Sequence, residues 1–303
     1  AISALLWHWR IIPVLVNALS VIFKKPLDVG GPVGLSATAN IFLGQVEAPL
    51  LVRPYLASMS KNELLILMTV GMSTIAGSVM VIYTTMLSSI YGIGLIGHFL
   101  TASLISVPAG IMYANMIIPS DTKTDFPADS STKMYSGSMD ALTRGTQAGI
   151  EIFLNVAAML IVVMALVFLI NATLGVLPDF QGDPLTLERF FGWLFAPLAW
   201  CMGIPWAESQ AAGELLGVKT ILNEFVAYLY LADTSAYALS EKSNLIMLYA
   251  LCGFANFSSV GILLSGMSAM VPERRKDLIA VSIKALWAAL LASCMTGFIV
   301  GVL

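Results

Sequence analysis

Two polar residues, Gln45 and Glu47, lie inside the apolar stretch of residues 33–56. A carboxylate at membrane depth is expensive to bury and normally faces a cavity lined by protein. Gly44 before the pair and Pro49 after it interrupt a continuous helix. Because broken backbone is tolerated within a membrane only where protein or water satisfies it, we predict two half-helices that meet at a polar tip and form a binding site.

A second polar tip is predicted around Glu224, within the sequence NEF. Pro205 opens the segment that leads to this tip, as Pro32 opens the segment that leads to the first one. Each tip is followed by a longer apolar segment that small polar residues interrupt, at residues 73–78 and 256–259. Interrupted hydrophobic segments at corresponding positions of two halves indicate the binding site of a secondary transporter.

The composition indicates a polytopic membrane protein. Of 303 residues, 58% are hydrophobic and 11% are charged, and the mean hydropathy is +0.87. Soluble domains carry about 25% charged residues. The net charge of -3 gives no electrostatic footprint for nucleic acid. The three cysteines lie in apolar segments without CxxC spacing, so we expect neither disulfides nor a metal site. No cleavable signal-peptide pattern is found at the start of the sequence.

The elements predict an all-α polytopic membrane protein with inverted repeats, two re-entrant helical hairpins and interrupted transmembrane helices. The predicted segments are the end of a spanning helix with a cytoplasmic interfacial helix (1–30), a first repeat (31–94) with hairpin 32–59 and broken helix 63–88, two spans (95–177) with cytoplasmic loop 120–145 and scaffold helix 146–177, a second repeat (178–271) with interfacial helix 187–202, hairpin 205–231 and broken helix 244–271, and a last span (277–303).

The basic residues predict the orientation of these segments. Most of them can be placed on one side of the membrane, which is then cytoplasmic by the positive-inside rule. The first hairpin would enter from the cytoplasm and the second from outside, as expected for an inverted-topology pair. Ser60 and Glu63 have the spacing of a capping box, which predicts the start of the first broken helix.

Three motifs closely resemble those of the concentrative nucleoside transporters: GQVEAPL with RPYL in residues 44–56, NEFVAY in 223–228 and ALCGFANFSS in 250–259. The resemblance covers essentially the whole sequence. It implies a bacterial Na+-coupled symporter of the cell inner membrane, a homotrimer that imports nucleosides by alternating access with an elevator-like movement. Bacterial members usually have three spans before this region, most of which have no counterpart in the sequence.

The resemblance also implies which residues bind the nucleoside. It implies that Gln45 and Glu47 bind the nucleobase: the amide can donate to and accept from the base edge, and the carboxylate can accept from it. Val46 between them stands where the family commonly has Thr or Ser, which alters any hydroxyl-mediated base contact. Phe254 is expected to line the base pocket, with plain helix packing as the alternative. The resemblance also implies that the ribose diol is bound by the carboxylate of Glu224, the amide of Asn256 and the hydroxyl of Ser259.

A sodium site is predicted at Asn40, Thr74 and the carbonyl groups of Leu43 and Ile75. Unwound carbonyl groups and half-helix ends coordinate Na+ in such transporters. Oxygen ligands without a carboxylate suit a monovalent ion better than Ca2+. The resemblance matches Asn40 and the Thr74–Ile75 pair, with Thr in place of the usual Ser. The alternative is that these polar groups only satisfy broken backbone.

Three functional alternatives stay open at this point. A proton taken up by Glu47 or Glu224 would replace Na+, because burial raises the pKa of a carboxyl group. The cargo would be a free nucleobase if no ribose is bound. An intramembrane enzyme using the same two carboxylates is the most distant alternative, since the sequence lacks HExxH, GxSxG and paired-Asp motifs. The other charged residues of the second hairpin are expected to pair with one another or to face water; these are Glu208, Glu214 and Lys219. No cofactor other than the coupling ion is expected.

Overall fold

The computed structural model describes residues 2–11, 14, 29–92, 94–120, 122–124, 135–179, 184–232 and 239–303. All regular secondary structure in these ranges is helical. The interfacial helix predicted within residues 1–30 and much of the loop predicted at 120–145 lie outside the described residues.

The helices are α1 (Ile2–His8), α2 (Gly31–Ala39), α3 (Glu47–Leu50), α4 (Lys61–Ser73), α5 (Gly77–Tyr91), α6 (Leu95–Ile117), α7 (Ser138–Leu174), α8 (Leu187–Cys201), α9 (Trp206–Ile221), α10 (Glu224–Ala232), α11 (Glu241–Ala250), α12 (Phe257–Met270) and α13 (Arg275–Val302), with short 3₁₀ helices at Arg53–Tyr55 and Pro272–Arg274.

The first half consists of a short hairpin followed by a broken helix. Helix α2 leads to an irregular turn and then to the single turn of α3. Helix α4 begins with the capping box predicted from Ser60 and Glu63: the Ser60 hydroxyl accepts from the Glu63 backbone N–H, and the Glu63 carboxylate accepts from the Ser60 backbone N–H. The helix ends at Ser73, and residue Thr74 is extended, so α5 restarts only at Gly77.

The second half repeats this order of elements. Helices α9 and α10 form a hairpin, and α11 and α12 form a helix broken over residues 251–256. Helix α9 is preceded by the amphipathic helix α8, and the two meet at a bend of 118°. The extended conformation of Asn256 allows its side chain to cap α12, accepting from the Ser259 backbone N–H at 2.7 Å.

Helix α13 lies at the centre of the packing. It contacts α4, α6, α11 and α12, so both broken helices pack against one continuous helix. Small and hydroxyl-bearing residues make these contacts close, as is usual between helices in membranes. For example, Ser106 of α6 and Thr296 of α13 form a buried hydrogen bond of 3.0 Å.

The long helix α7 begins at Ser138 rather than at Thr146 as predicted. The first turns are polar, but local interactions stabilise them: Asp140 accepts hydrogen bonds from the Ser136 backbone N–H and hydroxyl and pairs with Arg144 one turn later. A carboxylate in the first helical turn is stabilised by the helix dipole. The polar composition that predicted a loop therefore includes the exposed start of a helix.

Three helical segments of the described structure are long and apolar enough to cross a membrane, namely 61–88, 95–117 and 272–302. The bent pair α8 and α9 would make a fourth if it is counted as one span. Many exposed side chains on α7 are large and apolar, including Ile161, Phe168 and Leu169. A surface of this kind is stable in a lipid environment, and the chain is a multi-pass membrane protein.

Candidate functional site

The two broken helices touch each other at their breaks. Gly253, in the second break, has φ +128°, a conformation that side chains with a Cβ rarely adopt. A Cβ at this position would lie 2.6 Å from the carbonyl oxygen of Ser73, the last residue of α4. The unwound segments of the two repeats therefore meet with direct backbone contact, and the polar groups predicted from each half are brought to one region.

The first tip presents an amide and a carboxylate. Gln45 is buried, and its side-chain oxygen has no hydrogen-bond partner among the described residues. One Glu47 oxygen accepts from the Gly44 backbone N–H at 3.0 Å, which closes the tip. The other oxygen of this half-buried carboxylate accepts no hydrogen bond from the described part of the chain. The tip therefore holds hydrogen-bond acceptors that the described residues leave unused.

Val46 links the first tip to the second broken helix. Its side chain packs on Gly266 of α12, where a Cβ would lie 2.6 Å from Val46 Cγ1. The residue is half-buried and apolar, so it contributes shape rather than a hydrogen bond. A glycine opposite a β-branched side chain is a feature that sequence reasoning missed, because nothing in the sequence pairs residues 46 and 266.

The second tip places three predicted residues together. Asn256 donates from its side-chain nitrogen to Glu224 at 3.0 Å, and its side-chain oxygen accepts from the Ser259 backbone N–H. All three residues are buried. A carboxylate has about four lone-pair sites, so Glu224 can still accept from further donors. Phe254 lies in the same break, half-buried, and its carbonyl accepts from the Asn256 backbone N–H at 2.8 Å.

Tyr83 of α5 completes this cluster. Its hydroxyl donates to the other Glu224 oxygen at 2.6 Å, so a residue of the first repeat holds the carboxylate of the second. The ring of Tyr83 packs against those of Phe99, Phe225 and Tyr228, with centroid distances of 5.1–6.2 Å. No signal in the sequence points to this contact, since Tyr83 is one of nine tyrosines in the chain and lies in an otherwise ordinary apolar helix.

The predicted sodium ligands lie where the first hairpin meets the break of α4 and α5. Asn40 is fully buried, and neither polar atom of its side chain has a partner among the described residues. The backbone N–H of Gly77, at the start of α5, donates to the Phe42 carbonyl at 3.2 Å, which joins this turn to the break. The Thr74 hydroxyl donates to the Val70 carbonyl and keeps its lone pairs. Leu43 and Ile75 are buried beside them in the chain.

Three further charged residues of the second hairpin were expected to pair with one another or to face water, and no ion pair joins them in the described structure. Glu208 accepts from the backbone and hydroxyl of Ser240, and Glu214 accepts from Gln210 at 3.4 Å. Lys219 is neither exposed nor paired with either glutamate in the described structure: it is fully buried and donates to the Ala250 carbonyl at 2.9 Å. The correction follows from helix geometry, because these side chains point to different neighbours around α9.

These features define the class of protein: two similar halves, each a hairpin with a broken helix, converge on buried polar groups in a multi-pass membrane transporter. The family comparisons agree. A family model described as Na+ dependent nucleoside transporter C-terminus matches residues 98–301, and a model described as Gate, nucleoside recognition, matches residues 1–90. The chain belongs to the concentrative, Na+-dependent nucleoside transporter family.

Individual relatives support this assignment. An uncharacterized transporter of Haemophilus influenzae is 40% identical over 98% of this chain and 72% of its own length. The nucleoside permease NupC of Helicobacter pylori is 37% identical over 99% of this chain and 72% of its own. The solved structure of CNTnw in an inward-facing substrate-bound state superposes with a TM-score of 0.89 at 37% identity, covering 98% of this chain and 70% of that one. Such relatives are named as transporters and permeases, not enzymes, so the chain is a transporter rather than an intramembrane enzyme.

Proposed function

We propose that the protein imports nucleosides by symport with Na+. The observation that carries this proposal is the fully buried Asn40 side chain at the end of α2, whose amide oxygen and nitrogen have no hydrogen-bond partner among the described residues, in the turn that adjoins the break of α4 and α5. A buried polar group without a hydrogen bond costs about 1–3 kcal/mol. A bound cation that coordinates the oxygen would remove part of that cost, so the site is suited to an ion that comes and goes with the cargo.

The same break supplies further oxygen ligands. In the proposed site, Na+ is held by the Asn40 side-chain oxygen, the Thr74 hydroxyl and the carbonyl groups of Leu43 and Ile75. The end of α4 adds the negative end of a helix dipole. No carboxylate belongs to this set, which suits a monovalent ion. The family model that matches the chain is described as Na+ dependent, which also supports sodium over a proton.

The nucleoside is proposed to lie between the two tips. Gln45 and Glu47 have unused acceptor capacity and would bind the edge of the base, beside Val46 and the ring of Phe254. Glu224, Asn256 and Ser259 form a hydrogen-bonded cluster and would bind the ribose hydroxyl groups. Since the ion site adjoins the first tip through the Gly77 to Phe42 hydrogen bond, bound Na+ would fix the tip that contacts the base.

In this proposal the hairpins are re-entrant and enter from opposite sides of the bacterial inner membrane. Alternating access would come from an elevator-like movement of the hairpins and broken helices past a scaffold that contains α7, within a homotrimer. The exposed apolar surface of α7 supports a scaffold role, since it suits contact with lipid or with another subunit. Relatives solved in inward-facing and outward-facing states support alternating access.

The decisive test is uridine uptake into proteoliposomes with and without an inward Na+ gradient, for the wild type and Asn40→Ala. We expect uptake by the wild type to depend on Na+ and that of Asn40→Ala to need at least tenfold more Na+, because one ligand is lost. Asn244→Ala is the matched control, since the Asn244 side chain lies at a helix start, where its amide nitrogen donates to the Leu239 carbonyl and its oxygen contacts the Tyr91 hydroxyl at 3.4 Å. Uptake that does not depend on Na+ but follows a pH gradient would show that the coupling ion is a proton. Uptake of uracil in preference to uridine would show that the cargo is a free nucleobase.

Tyr83→Phe is expected to raise the uridine KM about tenfold, because it removes one hydrogen bond to a charged group, worth about 1.5 kcal/mol. The proposed role is to position Glu224 for the ribose, so discrimination between uridine and its deoxy analogues should fall as well. Competitive uptake of the analogues measures this effect. Tyr91→Phe is the control on the same helix, where the tyrosine hydroxyl makes only a 3.4 Å contact with Asn244. If Tyr83→Phe has the uridine KM and the discrimination of the wild type, Tyr83 does not position Glu224 for the ribose.

A further inference from the structure

The two broken helices differ in how their C-terminal carbonyl groups are satisfied. The last carbonyl groups of any helix lack intrahelical partners and carry the negative end of the helix dipole. At the end of α4, the carbonyl groups of Gly71, Met72 and Ser73 accept no hydrogen bond from any described residue. This open end lies in the break assigned above to Na+.

At the end of α11, every corresponding carbonyl group has a donor. The Met247 and Tyr249 carbonyl groups accept from the backbone N–H groups of Leu251 and Cys252. Two side chains of the second hairpin donate to the other two carbonyl groups. The Tyr228 hydroxyl donates to the Leu248 carbonyl at 2.8 Å, and the Lys219 ammonium group donates to the Ala250 carbonyl at 2.9 Å. A positive charge is therefore already present at the second break.

Lys219 is also placed to balance a buried negative charge. It is fully buried, and its charge is within electrostatic range of the Glu224 carboxylate. Among the described residues, the other buried charged side chain is Glu63, which lies at the far, N-terminal end of α4. A buried charge is stable only when it is compensated. With Lys219 present, the second break and its carboxylate need no external cation.

We propose that Lys219 is a tethered cation that occupies, in the second repeat, the place that Na+ takes in the first. The inference rests on the proposed Na+ symport and goes beyond it: the lysine closes the second break to free cations and limits the transporter to one Na+ per nucleoside. Removing the ammonium group opens a second cation site made of the Ala250 carbonyl, the end of α11 and the Glu224 carboxylate.

Lys219→Met tests this proposal. Methionine keeps most of the apolar stem but ends one atom short, which leaves the volume of the ammonium group beside the Ala250 carbonyl. We expect the ratio of 22Na+ to 3H-uridine taken up by proteoliposomes to rise from one to two, and the Hill coefficient for Na+ to rise with it. Lys219→Arg, which keeps the charge, and Lys242→Met, which removes an exposed charge near the start of α11, should both keep a ratio of one.

Each other outcome decides the question. A ratio that stays at one in Lys219→Met would overturn the proposal, as would a wild-type ratio of two. If Lys219→Met does not yield folded protein, the double variant Lys219→Met/Glu224→Gln removes both buried charges; it should fold and bind one 22Na+ per chain without uridine. Misfolding of the double variant would show that the charge balance is not the reason for the lysine. A wild type without any Na+-dependent uptake would instead contradict the proposed symport itself.

Discussion

Glu224→Gln is expected to weaken uridine binding about 30- to 100-fold. The substitution keeps the shape of the side chain but removes the charge that would accept hydrogen bonds from the ribose hydroxyl groups. Hydrogen bonds to a charged group contribute about 1.5–3 kcal/mol each, against about 1 kcal/mol for neutral ones, so two weakened bonds account for a loss of about 2–3 kcal/mol. Titration calorimetry on the purified protein, with uridine at saturating Na+, measures the change directly.

The matched control is Glu214→Gln on the preceding helix. Glu214 is also a partly buried glutamate of the second hairpin, but its carboxylate accepts a long hydrogen bond of 3.4 Å from Gln210 on the same helix and lies against Gly192 of α8. Its substitution should leave uridine affinity within about twofold of the wild type, as is usual away from a binding site. Uracil, which has no ribose, should bind the wild type and Glu224→Gln alike. Equal losses for uracil and uridine would show that Glu224 does not bind the sugar.

Much of the site could be predicted because membrane burial makes polar residues informative. Glu47, Glu224 and Asn256 stand out in apolar segments, and the structure brings Glu224 and Asn256 within hydrogen-bond distance. The break of the first long helix was signalled by residues 73–78, where small polar side chains and Gly77 replace the apolar pattern. The capping box at Ser60 was equally local and is confirmed. In each case the signal lies within a few residues of the feature.

The missed features depend on contacts between distant parts of the chain. Tyr83 and Glu224 are 141 residues apart, and Lys219 and Ala250 are 31 apart, so no local pattern could pair them. Lys219 was expected to pair with Glu208 or Glu214 or to face water, because charges in membranes usually pair or line a cavity. The structure instead places its ammonium group at a helix end, which is a negative partner that leaves no sign in the sequence.

The junction of the two breaks gives the other large expected effect. Gly253→Ala should abolish Na+-dependent uptake and lower the thermal stability of the purified protein by several degrees. The backbone at residue 253 has φ +128°, which costs a residue with a Cβ about 1–3 kcal/mol. The added methyl group would also lie 2.6 Å from the Ser73 carbonyl oxygen, a backbone atom that cannot move away without shifting the end of α4. Both unwound segments, and with them both tips, would be displaced.

Gly261→Ala provides the control in the adjoining helix α12. A Cβ at residue 261 meets no atom within 4 Å, and the residue lies inside a helix, where alanine is favoured over glycine by about 1 kcal/mol. This variant should keep uptake and gain a little stability, so the two alanines differ in the backbone conformation of the substituted residue and in the contact between the breaks. If Gly253→Ala transports uridine at the wild-type rate, the breaks can separate without loss of function, and the close approach of Gly253 and Ser73 would be a packing feature alone.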